Sequence, residues 1–147
     1  MVYPERKSPP VPVLSNAGIH LLGEWHDCDA DPPLLCDAGR LARFCRALVD
    51  EAGLTVVGVS SHQFRPQGAT VAVLLAESHL AVHTWPEARF LTVDLYVCNA
   101  TQDHTAQAEA IWSRLLKAFR PNRPLCTRLL RTQAARVSQA PIVQHAG

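Results

Sequence analysis

The 147-residue sequence has no long apolar run, almost no net charge and no close pair of cysteines, and each absence removes a class of protein. Its longest apolar stretches, such as residues 70–76, fall far short of the roughly 20 residues that a membrane-spanning helix needs. A formal charge of +1 offers no basic footprint for nucleic acid or an anionic membrane, so neither is expected as a partner. The five cysteines (Cys28, Cys36, Cys45, Cys98 and Cys126) are odd in number, widely spaced and without a C-x-x-C pair. Free thiols in a reducing cytoplasm are therefore expected, not a disulfide framework or a zinc ribbon. Glu5, Arg6 and Lys7 followed by prolines lack the apolar stretch of a secretory signal, and none is expected.

What is present suits one globular domain, since apolar residues make up 48% of the chain and no repeat is visible. Pro4, Pro9, Pro10 and Pro12 predict a flexible leader over 1–17, followed by a single domain over 18–131 and a loose tail over 132–147. Residues 18–26 read as extended, ended by 29–33. Asp37 can cap a helix whose apolar positions Leu41, Phe44, Cys45, Leu48 and Val49 follow helical spacing, with Gly53 as its stop. Strands are predicted at 54–60, 70–76, 80–85 and 90–98, with a loop at 63–68 and breaks at Glu77-Ser78 and at Pro86-Glu87-Ala88. A second amphipathic helix spans about 103–119, with Ala108, Ile111, Trp112, Leu115, Leu116 and Phe119 on one stripe, and a last strand covers 125–130. The order predicts a two-layer α+β domain: an antiparallel sheet with two helices on one face.

Chemistry-capable side chains crowd into residues 70–98: Thr70, Glu77, Ser78, His79, His83, Glu87, Asp94 and Cys98. His79 and His83 are four apart, but on a strand that spacing is roughly 13 Å, too far for one metal ion. No metal is expected. A Ser-His-Asp hydrolase built from Ser78, His83 and Asp94 would lack the G-x-S-x-G elbow, for no glycine flanks Ser78.

Glu77-Ser78-His79 followed by His83-Thr84-Trp85-Pro86-Glu87 resembles the processing and active-site motif of the prokaryotic S-adenosylmethionine decarboxylase proenzymes. The likeness extends over most of residues 18–98: His20-Leu21-Leu22-Gly23-Glu24 with Cys28-Asp29, then Phe64, Pro66 and Gly68, then Val93-Asp94-Leu95 with Cys98. It implies cleavage between Glu77 and Ser78. The Ser78 hydroxyl would attack the Glu77 carbonyl, and elimination and hydrolysis would leave a pyruvoyl cofactor at the new N-terminus. His83 falls where the family has the base for that elimination. Thr70 stands where the family has a processing serine, and Cys98 matches its proton donor.

The pyruvoyl ketone would condense with the substrate amine and withdraw electrons as carbon dioxide leaves, as pyridoxal phosphate does elsewhere. Phe64 matches an aromatic that stacks the adenine, where a sulfonium would gain about 0.5–2 kcal/mol from the ring face. Glu87 would help to hold the ligand. The resemblance also implies a homodimer of cleaved protomers acting on a small molecule in cytoplasmic polyamine biosynthesis.

Three departures surround the nucleoside region: Ala88-Arg89-Phe90 after the motif, Asn99 after Cys98, and Cys126-Thr127-Arg128-Leu129-Leu130-Arg131 near the end. They leave ornithine or arginine as alternative substrates of the same chemistry, and a non-catalytic binding homologue as the reading of a different class. Ser78 and His83 differ by an odd number, so one unbroken strand would turn them to opposite faces. A bend at 77–79, or approach from separate strands, is therefore required.

Overall fold

The computed structural model describes residues 18–131; the expected leader over 1–17 and tail over 132–147 lie outside the described residues. Six strands form one antiparallel sheet in the order β2-β3-β4-β5-β1-β6. They are β1 (Gly18–Cys28), β2 (Val56–Gln63), β3 (Ala69–Leu75), β4 (His79–Trp85), β5 (Phe90–Cys98) and β6 (Pro121–Arg131). Helices α1 (Pro32–Cys36), α2 (Ala38–Glu51) and α3 (Thr105–Phe119) provide the second layer. The expected two-layer α+β architecture is present, with one short helix more than the sequence announced. Asp31 and the two prolines that open α1 read as a strand stop, and they also start a helical turn.

Strand alternation decides which face each side chain occupies. Ile19, Leu21 and Trp25 of β1, Val71 and Val73 of β3, Leu80 and Val82 of β4, and Leu91, Val93 and Leu95 of β5 are buried beneath the helices. Leu41, Cys45, Leu48 and Val49 of α2 meet them, as do Ile111, Leu115 and Phe119 of α3. This matches the helical stripes read from the sequence. Asp37 caps α2 as expected, its carboxylate accepting from the Arg40 amide at 2.7 Å. Gly53 follows in the left-handed region at φ +79°, the conformation that lets the chain leave a helix toward a strand.

The other sheet face carries no helix. His20, Thr70, His79, His83, Asp94, Tyr96 and Cys98 all lie on it by register and alternation. The last strand begins at Pro121, four residues before the expected start. An edge strand tolerates proline because its outer side needs no ladder donor, and β6 pairs only with β1.

Candidate active site

The hairpin between β3 and β4 turns through Ala76, Glu77 and Ser78. The turn falls at 76–78, with His79 already in β4, and it does not carry Ser78 to His83. The Leu75 amide donates to the Ser78 carbonyl at 3.0 Å, which closes the turn. Ser78 Oγ accepts from the backbone N–H of Cys98 at 2.8 Å, so the end of β5 holds the hydroxyl. Ser78, Glu77 and Cys98 line one small cleft of about 120 Å³. His104 lines it too, its Nδ1 buried and without a hydrogen-bond partner. No spacing in the sequence pointed to His104, because it enters from the start of α3.

A second group assembles at the other end of β4. Thr70 and His83 are register partners across β3 and β4, with Thr70 Oγ1 2.9 Å from His83 Nδ1. Phe64, Trp85 and Glu87 join them around a cleft of about 470 Å³. The fold therefore brings Thr70, His83, Phe64 and Glu87 together, and separately Glu77, Ser78 and Cys98. It does not bring Ser78 to His83: five residues of strand separate them by roughly 16 Å.

Two polar residues that build the larger cleft were given no role in the sequence reading. Gln63 donates to the carbonyls of Cys36 (2.8 Å) and Gly68 (2.9 Å) and accepts from the Ala38 amide (2.8 Å). It ties the loop bearing Phe64 to the α1–α2 junction. Thr84 is buried, donating to the Leu35 carbonyl at 2.7 Å and accepting from the Ala69 amide at 2.9 Å. Gly68 sits at φ +102°, where a Cβ would meet the Thr84 carbonyl oxygen at 3.1 Å, so the loop closes only on glycine.

Asp94 does not pair with His83, which removes the hydrolase triad. Its Oδ1 is instead shared by His20 Nε2 at 2.6 Å and His79 Nε2 at 2.8 Å. Partial burial pushes the Asp94 carboxyl up, but the hydrogen bonds from His20 and His79 outweigh it and hold the group below the usual carboxylate range. Those three donor atoms lie within 4.8 Å of one another, a spacing that a metal ion also uses. Arg131 argues otherwise: its guanidinium reaches His20 Nδ1 at 3.0 Å, and arginine can only donate. The His20 proton therefore sits on Nε2, facing Asp94, and the set is a hydrogen-bond cluster. Ser78 lies in a turn outside the ladder, with its hydroxyl oriented by one amide.

Known proteins resemble the chain over the same region. The sequence pattern of the S-adenosylmethionine decarboxylase family matches residues 19–132. An S-adenosylmethionine decarboxylase proenzyme from Parasynechococcus marenigrum is 40% identical over 93 residues, which is 63% of this chain and 69% of that protein. Another, from Fervidobacterium nodosum, is 34% identical over 110 residues, covering 75% of this chain and 76% of its own. The crystal structure of the adenosylmethionine decarboxylase from Aquifex aeolicus superimposes with a TM-score of 0.71 at 28% identity, covering 85% of this chain and 98% of that one.

Proposed function

Since the chain belongs to the S-adenosylmethionine decarboxylase family, we propose that it cleaves itself at Glu77–Ser78 and decarboxylates S-adenosylmethionine, supplying an aminopropyl donor for polyamine biosynthesis. The observation that carries this reading is the Cys98 amide on Ser78 Oγ at 2.8 Å, in a turn that exposes the Glu77–Ser78 bond to rearrangement.

The chain's own atoms account for the cleavage. Ser78 Oγ attacks the Glu77 carbonyl carbon, and the acyl group passes from the Ser78 nitrogen to its oxygen. A base then takes the Ser78 α-proton, the Cβ–Oγ bond breaks, and the oxygen leaves as part of the Glu77 carboxylate. Negative charge grows on that oxygen as it leaves, where the Cys98 N–H already points; preorganised donors of this kind lower such barriers. His83 is the base: its Nδ1 is engaged by Thr70, which directs Nε2 outward to take the proton.

The dehydroalanine left at position 78 would take up water and lose ammonia to give a pyruvoyl group, whose ketone would supply the electron sink for decarboxylation. Cys98 returns a proton to the product carbon. Phe64 gives the adenine and sulfonium a ring face in the larger cleft, and the Glu87 carboxylate accepts hydrogen bonds from the ligand.

Because Thr70 and His83 stand at the opposite end of β4 from Ser78 and Cys98, we read the functional unit as a homodimer. Two-fold pairing of the helix-free faces would bring one protomer's His83 to its partner's cleavage site. Exposed Leu74, Trp85, Leu125 and Leu129 supply apolar surface on that face. Among the described residues no helix is long and apolar enough to cross a membrane, and the five cysteines are unpaired, in keeping with action in the cytoplasm.

Mass spectrometry tests the reading. Purified protein should contain fragments 1–77 and 78–147, of 77 and 70 residues, the second with a blocked N-terminus. It should release carbon dioxide from S-adenosylmethionine faster than from ornithine or arginine. Ser78→Ala should stay intact and inactive; an active Ser78→Ala protein refutes the proposal, and an intact inert wild type favours a binding homologue.

A further inference from the structure

We propose that Asp94 is a positioning residue of the cleaved enzyme: through His79 it holds the start of β4, and with it the reactive end at position 78, once the Glu77–Ser78 bond has been cut. The proposal rests on the reading of Ser78 given above.

Cleavage removes two restraints on position 78. One is the peptide bond to Glu77. The other is the hydrogen bond from the Cys98 amide to Ser78 Oγ, because that oxygen departs with the Glu77 carboxylate. What remains of the main chain is the Leu75 amide on the residue 78 carbonyl and the pairing of His79 with Leu74 and Tyr96. Rungs next to a chain end open most readily.

The His79 side chain supplies an anchor that the cut does not touch. Its Nε2 lies 2.8 Å from Asp94 Oδ1, reaching diagonally from β4 to the adjacent β5. Asp94 is itself braced from the other side. His20 of β1 donates Nε2–H to the same oxygen at 2.6 Å, and Arg131 of β6 holds His20 Nδ1 at 3.0 Å while lying 5.2 Å over the Tyr96 ring. Four strands thus share one polar cluster, next in sequence to the reactive residue and on the same face as Cys98.

Displacing a reacting group by about 1 Å can cost on the order of 100-fold in rate. Loss of the clamp should therefore lower kcat more than it raises KM.

The test uses the full-length chain and three measurements. Asp94→Ala should cleave to the same extent as wild type, because the uncut turn and the Cys98 amide still hold Ser78. Its kcat should fall by roughly 10- to 100-fold with little change in KM, and amide hydrogen exchange over residues 79–82 of the cleaved protein should quicken. Asp94→Asn keeps an acceptor for His79 and should recover most of the rate. Wild-type kcat and exchange in Asp94→Ala overturn the clamp alone, and so does failure of that variant to cleave. Activity lost on treatment with EDTA and restored by zinc overturns it in favour of a metal site. An uncleaved wild type would overturn the reading of Ser78 itself.

Discussion

Thr70 and His83 face one another across β3 and β4, the threonine hydroxyl 2.9 Å from the imidazole Nδ1, at the end of β4 remote from Ser78. If His83 serves the partner's serine, two inactive variants should complement each other. Ser78→Ala and His83→Ala should each stay uncleaved alone. When co-expressed, the His83→Ala chain should be cut, and activity should reach about a quarter of wild type, since half of randomly paired dimers carry one intact site. An inert mixture would show that the site is not shared.

Cys98 offers two separable groups, a backbone amide on Ser78 Oγ and a thiol for the product proton. Cys98→Ala keeps the amide and loses the thiol. The variant should therefore cleave normally and decarboxylate poorly, by roughly 100-fold or more for a lost acid. Unchanged turnover would remove Cys98 from its assigned role.

Phe64 is half-exposed at the mouth of the larger cleft, where a stacked base would cover it. Phe64→Ala should raise KM for S-adenosylmethionine roughly 2- to 30-fold, the equivalent of about 0.5–2 kcal/mol, with kcat much less affected. Steady-state kinetics on the cleaved variant decides this. An unchanged KM would move the adenine elsewhere.

Thr84 belongs to the motif, yet its hydroxyl satisfies the Leu35 carbonyl and the Ala69 amide inside the core. Thr84→Val leaves both unpaired at similar volume. The expected cost is about 1–3 kcal/mol, seen as a Tm lower by roughly 5–15 °C, whereas Thr84→Ser should recover most of it. A stable Thr84→Val protein would indicate that the hydroxyl is kept for chemistry instead.

Much of the fold was legible in the sequence because alternation and helical spacing are local signals. The bounds of β3, β4 and β5 were read to within a residue, and the Asp37 cap and Gly53 stop bounded α2 to within a residue or two. Pro121 and Pro124 concealed the start of β6, since proline reads as a break unless the strand is known to lie at an edge. The short α1 was hidden in the same way behind Pro32 and Pro33.

The candidate site divided along the same line. Ser78, His83, Cys98, Thr70, Phe64 and Glu87 were picked out by the likeness of their motifs to the S-adenosylmethionine decarboxylase proenzymes. Which of them meet was not legible. The register of β3 on β4 joined Thr70 to His83, and the turn at 76–78 joined Ser78 to Cys98. Pairing of β1 with β5 carried His20 to an aspartate 74 residues away. Strand pairing is a long-range event that no local pattern encodes, so residue identity came from the sequence and residue company from the sheet.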